Sequence, residues 1–271
     1  MDKPMLLNLG CGSKYHKDWI NIDFVSDDPN VMNYDLLRGI PYPANYFDAV
    51  YHSQVLEHFE KDEAVKFIKE CFRVLKPGGI IRVVVPDLEN IASEYLRLVK
   101  ENIENPTASS RADYEWIVLE LYDQTVRNKS GGMMADFLKD PEIINKDFVE
   151  SRIGYSDKAE RSKTLSSKAA RKNVLFRIRR KVSRFLKNIF SNRKSKIGDL
   201  RISGEIHYWM YDRFSLSELL KRAGFENFEV RDAFSSSIPD WNKYELDVRN
   251  GKPFDPKALF TEAFKPSGHS S

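Results

Sequence analysis

The stretch Leu6-Leu7-Asn8-Leu9-Gly10-Cys11-Gly12 holds the first residues whose types and spacing suggest chemistry. An apolar run ending in Gly-x-Gly is how a buried strand meets a bound nucleotide, because residues without a Cβ let the backbone approach a ligand closely. The same run also makes ordinary strand-to-helix turns, so its meaning depends on what comes next. Asn21-Ile22-Asp23 reads as the end of a second strand carrying a carboxylate, and an acid there can accept both hydroxyls of a ribose. A turn-stabilising Asx residue is the structural alternative for Asp23. Cys11 in the turn and Cys71 on the apolar side of a helix make neither a disulfide framework nor a zinc site, and read as small packing residues.

Such groups need a sheet to hold them. A third short strand, Val31 to Tyr34, ends at Asp35-Leu36, and a fourth, Tyr46 to Tyr51, runs into His52-Ser53-Gln54-Val55-Leu56-Glu57-His58. Val65, Ile68, Phe72 and Leu75 recur at spacings of three and four, predicting a helix that starts near an N-cap at Asp62 and stops at Lys76-Pro77-Gly78-Gly79. Ile80 to Val85 is a nearly continuous β-branched run, as expected of a central parallel strand covered on both faces. Leu88 to about Ile153 looks helical, with Ser130-Gly131-Gly132 interrupting the pattern. The chain returns through His207-Tyr208-Trp209-Met210-Tyr211-Asp212 to a helix over Ser215 to Ala223 that stops at Gly224. Strands at Phe228-Glu229-Val230 and Leu259 to Phe264 follow.

This ordered series, with its Leu-Glu-His and Leu-Lys-Pro-Gly-Gly signatures, resembles the class I S-adenosylmethionine-dependent methyltransferases of the type 11 group. The resemblance implies a doubly wound, Rossmann-like α/β fold, a mostly parallel sheet with an antiparallel final strand and a helical insertion. It implies that Leu9 leads into a turn, Gly10, Cys11 and Gly12, that wraps the methionine part of the cofactor. Asp23 would hold the ribose, Asp35 and Leu36 would lie beside the adenine, and His52, Ser53 and Val55 would close the other side. Asn8 stands where many relatives have an acid, so the contact to the cofactor's amino group needs another donor or a water. Only about ten residues separate Gly12 from Asp23, against roughly twenty in the dinucleotide fingerprint, so the first helix must shrink to a turn with Trp19 packing in its place. The tail, with His-x-x-Met-Tyr-Asp and Leu-Phe-x-Glu-Ala-x-Lys-Pro, is similar to methyltransferases of bacterial surface-polysaccharide and lipopolysaccharide pathways.

By these boundaries residues 1–87 and 201–271 form a cofactor-binding core, 88–154 a helical lid or acceptor insertion, and 155–200 a basic amphipathic segment. An insertion after the fifth strand lies over the carboxyl ends of the strands, where ligands of open α/β sheets bind.

A chain of 271 residues with 41% hydrophobic content can bury a sizeable core. It has no apolar stretch near the roughly 18 residues of a membrane span, and it enters its first strand by residue 5, leaving no room for a secretory signal. The cytoplasm is the expected location, with peripheral attachment to the inner face of the membrane. The net charge of +3 conceals a split: Lys158 to Lys196 holds 15 Lys or Arg against the single acid Glu160, so the remainder carries −11. Leu175, Ile178, Val182, Phe185 and Ile189 form one side of a helical pattern there, and Arg and Lys fill the rest. Residues 168–196 suit an anionic membrane surface, or a solvated face packed on the protein's own domain or a partner. Nucleic acid is the weakest of the three, since no RNA-binding motif accompanies the charges.

For the chemistry, a sulfonium is already an activated methyl donor, so the protein must chiefly align the acceptor behind it. A sugar hydroxyl also benefits from a general base. His207 and Asp87 are the candidates, with Tyr211 and Asp212 orienting the acceptor; a structural histidine and a helix cap are the respective alternatives. Glu57 and His58 read as bracing the loop after the fourth strand. The expected activity is O-methylation of a glycan or lipid-linked saccharide. A methyltransferase of RNA or of a small metabolite, and a catalytically silent membrane scaffold, are the other readings. An NAD-dependent dehydrogenase is disfavoured because Leu-Glu-His and Lys-Pro-Gly-Gly do not belong to that fingerprint.

Overall fold

A computed structural model describes residues 3–154 and 204–268, with 198, 200 and 201 between them. The basic segment identified from the sequence, 168–196, lies outside the described residues. The sheet is built from β1 (Leu6–Leu9), β2 (Ile20–Asp23), β3 (Val31–Asn33), β4 (Phe47–Ser53), β5 (Leu75–Pro86), β6 (Glu226–Arg231) and a last strand, β9 (Ala258–Phe264). Its seven strands run in the order β3-β2-β1-β4-β5-β9-β6. β1 pairs in parallel with both β2 and β4, Leu7 lying opposite Ile20 and Val50. β9 is antiparallel to both β5 and β6. The sheet is therefore mostly parallel with one reversed strand, the expected class. A two-stranded ribbon, β7 (Val248–Arg249) with β8 (Lys252–Pro253), sits apart.

Order reverses at β1, whose neighbours lead away in opposite directions, and a cleft opens at such a switch point beyond the carboxyl ends of the strands. No helix joins β1 to β2; residues 10–19 make turns instead. Trp19 takes up the space as expected, and its ring meets Tyr51, Trp241 and Tyr244 edge-on. One face of the sheet buries Leu7, Leu9, Ile22 and Val50 against helices α1 (Lys61–Val74) and α6 (Arg213–Arg222). The other face, carrying Leu6, Ala49, Tyr51 and Val84, is covered by Trp19 and by the tail around the short helix α7 (Trp241–Tyr244).

Two boundaries differ from expectation. Helix α1 is preceded by Glu60 rather than Asp62, because the Glu63 carboxylate reaches back to the Glu60 N–H. It ends at Val74, since Leu75 is already extended and opposite Phe47 in β5; Pro77-Gly78-Gly79 belongs to the strand. The β-branched run in β5 is also interrupted by a fully buried charge, Arg82. Its guanidinium bonds Asp247 at 2.8 Å, Glu262 at 2.9 Å and the carbonyls of Ser235 and Asp232.

After β5 the chain forms α2 (Leu88–Glu104), α3 (Ala108–Val126), α4 (Gly132–Phe137) and α5 (Lys146–Ile153). Ile91, Leu98 and Ile117 make a small core of their own, with Tyr95, Tyr114 and Met210 against it. The returning chain is tied down at the end of β5, where the Leu88 N–H donates to the Tyr211 carbonyl at 2.9 Å.

Candidate active site

The glycine turn follows Leu9 and is shaped by its neighbours. Gly10 has φ +63°, and a Cβ there would overlap Val55 Cγ2, so only glycine fits both the dihedral and the packing. Gly12 has φ +53° and open space where a Cβ would stand. Its N–H donates to Asp23 Oδ2 at 2.7 Å, so the carboxylate at the end of β2 lies directly under the turn. Asp23 Oδ1 accepts only a long bond, 3.3 Å, from the Val25 N–H. The Cys11 thiol is buried, and burial, with the charge of Asp23 adding to it, raises its pKa to about 12. It is a packing group, not a nucleophile.

Asn8 donates through Nδ2 to the Lys14 carbonyl and to Asn21 Oδ1, both at 3.1 Å, while its own buried Oδ1 has no partner among the described residues. The acceptor that an acid would have supplied is thus present as an amide oxygen. Asp35 caps a short 3₁₀ turn, Leu36–Arg38, by accepting the Leu37 N–H at 3.0 Å; Leu36 is half-buried beside it. Ser53 closes β4 half-buried, and Val55 packs beneath Gly10. An open turn, a carboxylate with a loosely held oxygen and an orphaned buried acceptor together fit a nucleoside carrying an amino-acid tail.

His52 departs from its expected place on the cleft wall. Its ring is fully buried against Phe67 of α1, with centroids 5.1 Å apart and neither nitrogen hydrogen-bonded among the described residues. The direction of its side chain in β4 sends it into the helix layer. Burial pushes its pKa down to about 3.

A cavity of about 140 Å³ opens past the ends of β4 and β5, lined by Gln54, Asp87, His207 and Asp255 with Glu120, Gln124, Arg152 and Lys257. Lys14, two residues after the glycine turn, pairs with Asp255 of that lining at 3.3 Å. Pockets for whole drug-sized ligands run to roughly 300–1,000 Å³, so this space suits a single small polar group beside the nucleotide cleft. Arg152 and Glu120 form a buried ion pair at 2.6 Å in its wall, fixing α5 to α3. Of the four catalytic candidates, the cavity brings together Asp87 and His207 and leaves out Tyr211 and Asp212. Tyr211 is packed in the sheet core, and burial, aided by the charge of Glu57, raises its pKa. Asp212 caps α6, accepting the Ser215 N–H at 2.7 Å, and does not face the cavity.

Asp87 Oδ1 caps α2, accepting the N–H groups of Glu89 at 3.0 Å and Asn90 at 3.2 Å. Burial, the largest influence, raises its pKa from the usual carboxylate value. His207 is buried, and desolvation followed by the charges of His58 and Arg127 lowers its pKa to about 3. It is neutral at physiological pH and a feeble base. Its ring stands edge-on to His58, centroids 4.7 Å apart. Close by, Glu57 is fully buried with both carboxylate oxygens unpartnered among the described residues, and burial raises its pKa to about 8. Gln54 and Glu57 were the groups whose local sequence pattern gave no sign of a place at the site. Gln54 turns off β4 in a left-handed conformation, φ +55°, and a Leu-Glu-His run looks like a loop brace until the returning chain covers it.

Comparison with known proteins bears on the front half of this arrangement. Residues 13–83 match the family model described as a methyltransferase domain. A probable S-adenosylmethionine-dependent methyltransferase of Mycolicibacterium smegmatis is 34% identical over 101 residues, an alignment covering 30% of this chain and 38% of that protein. The chain therefore spans well under half the length of that relative. Among solved structures, a methyltransferase of Thermotoga maritima is similar over 98% of this chain and 84% of its own, at 12% identity and a TM-score of 0.41. The 1,6-didemethyltoxoflavin N1-methyltransferase of Burkholderia thailandensis is similar over 97% and 72%, at 10% identity and a TM-score of 0.40. At such scores these likenesses add nothing to the assignment.

Proposed function

We propose that this protein is an S-adenosylmethionine-dependent methyltransferase that transfers a methyl group to a hydroxyl of a glycan or lipid-linked saccharide. The observation that carries the reading is a glycine turn closed on Asp23, with Lys14 just beyond it paired to Asp255 in the lining of a polar cavity that also holds Asp87 and Gln54. The matched methyltransferase domain supports the first half of it. Bound here, S-adenosylmethionine would supply a methyl group already activated on a sulfonium.

The chain's residues then have three tasks. Gly10 to Gly12 admit the amino-acid end, while Asp23 exchanges its bonds to Gly12 and Val25 for the ribose hydroxyls. Asp35 and Leu36 border the base. The cavity orients the acceptor, and its lining of Gln54, Glu120, Gln124, Asp255 and Lys257 offers both donors and acceptors to a polyol. Asp87 takes the acceptor proton. It is the better of the two candidate bases because burial raises the basicity of a carboxylate, whereas it suppresses that of His207.

The basic stretch 168–196 is assigned to an anionic membrane surface, which would bring a lipid-linked acceptor within reach. No helix among the described residues is long and apolar enough to cross a membrane. The test is single-turnover transfer from methyl-labelled cofactor to fractionated cell extract. Label in lipid or polysaccharide fractions supports the reading. Nuclease-sensitive label redirects it to RNA, and no product across broad acceptor fractions, with the cofactor bound, favours a silent scaffold.

A further inference from the structure

Glu57, His58 and His207 come from two distant parts of the chain and meet beside the cavity. One potential ligand atom from each, two imidazole nitrogens and a carboxylate oxygen, lies within 4.8 Å of the others. We propose that these three residues bind a divalent transition-metal ion of the zinc type, with its open side facing the cavity.

Three features of the geometry carry this. A carboxylate fully removed from water, with neither oxygen hydrogen-bonded among the described residues, is a costly group, and an ion between it and two imidazoles would satisfy it. His58 is already oriented as a ligand: its Nδ1 lies 3.0 Å from the Ile206 carbonyl, which can only accept, so the proton sits on Nδ1 and Nε2 keeps its lone pair. Metal-binding histidines are fixed in this manner by a carbonyl on the far nitrogen.

The backbone also binds the two halves together. The Tyr208 N–H donates to the Glu57 carbonyl at 2.8 Å, and the His207 N–H donates to the Gln124 carbonyl at 3.1 Å, so the ligands do not depend on side-chain reach alone. Arg127, whose charge acts on both histidines, is paired with Asp123 at 2.9 Å and with Glu205 at 3.2 Å.

The donor set selects the ion. Two imidazoles and one carboxylate suit zinc or ferrous iron and are poor for magnesium or calcium, which prefer oxygen. Three protein ligands leave a coordination position, and His207 itself lines the cavity. An acceptor oxygen held on that position would be more acidic, next to the Asp87 carboxylate. That use rests on the methyl-transfer reading; the binding of the ion does not.

The experiment uses the tag-free full chain, stripped with chelator, titrated with Zn²⁺ by calorimetry and then with Co²⁺ as a spectroscopic probe. S-adenosylhomocysteine binding is measured on the same samples. One equivalent of Zn²⁺ and visible Co²⁺ absorption are expected, with affinity at least ten-fold weaker in Glu57→Gln and His207→Ala. Circular dichroism and thermal unfolding select the variants that remain folded. Should His207→Ala not fold, His58→Gln supplies the second ligand deletion. Absence of stoichiometric metal in folded wild-type protein overturns the inference, as does undiminished binding in the folded variants. A chain that binds S-adenosylhomocysteine but no metal loses this site alone, and one that binds metal but no S-adenosylhomocysteine loses the methyl-transfer reading alone.

Discussion

The proposed reading gives Asp87 two duties on one carboxylate: Oδ1 caps α2, and the group lining the cavity would take the acceptor proton. The two can be separated, because asparagine is also a good N-cap but no base. Asp87→Asn should keep its melting temperature and cofactor affinity while losing about 10²- to 10⁴-fold in turnover, read from single-turnover methyl transfer. His52 offers a second test. Its folded pKa of about 3 lies below the ordinary 6.5, so the unfolded chain takes up the proton first as pH falls. The stability it permits is complete above pH 6.5 and is lost as pH drops towards 3. His52→Leu, which removes two unpartnered buried nitrogens, should raise stability by about 1 kcal/mol at neutral pH and flatten the acid limb in denaturant titrations. A shallower limb should remain, because His207 is depressed in the same direction. At this scale the meeting of the glycine turn with Asp23 was legible because Gly10, Gly12 and Asp23 are close in sequence. Whether His52 faced cleft or helix was not, since both placements put an imidazole after the same apolar run.

The elements are held by contacts between distant parts of the chain, and these were the hardest to foresee. The local pattern in β1, β2 and β5 is strong enough to name each strand. Nothing local says that β9 enters between β5 and β6; the family resemblance implied only that the final strand is antiparallel. Arg82 shows the same limit, its carboxylate partners Asp247 and Glu262 being 165 and 180 residues away. Within the tail motif, Glu262 neutralises Arg82, while Lys265 Nζ donates to the Phe72 and Leu75 carbonyls at 2.9 and 2.7 Å and closes the end of α1. Half of what looked like a pathway signature is therefore a clamp on the fold. Removing one member of a buried ionic network leaves the others uncompensated, so Arg82→Ala should cost about 3–5 kcal/mol in chemical denaturation. A loss below about 1 kcal/mol would mean that the network is not closed as described.

Across the whole molecule, charge is divided between an acidic remainder at −11 and the basic stretch from Lys158 to Lys196 at +14. With each Lys or Arg near an anionic surface contributing about 1 kcal/mol, the chain should float with vesicles containing phosphatidylserine and sink with neutral ones. Raised salt should release it. Equal recovery in both would assign the stretch to another partner. In the proposed reading both the cofactor cleft and the acceptor cavity lie at the carboxyl ends of the strands, and every role proposed for the cavity presupposes the cleft. Calorimetric titration of the folded full chain with S-adenosylhomocysteine, beside Asp23→Ala, tests that most directly. Binding at one site with a dissociation constant on the order of micromolar, weakened about ten- to hundred-fold by the substitution, is the expected result. No heat and no thermal shift up to millimolar ligand, or equal binding by the two proteins, would contradict it.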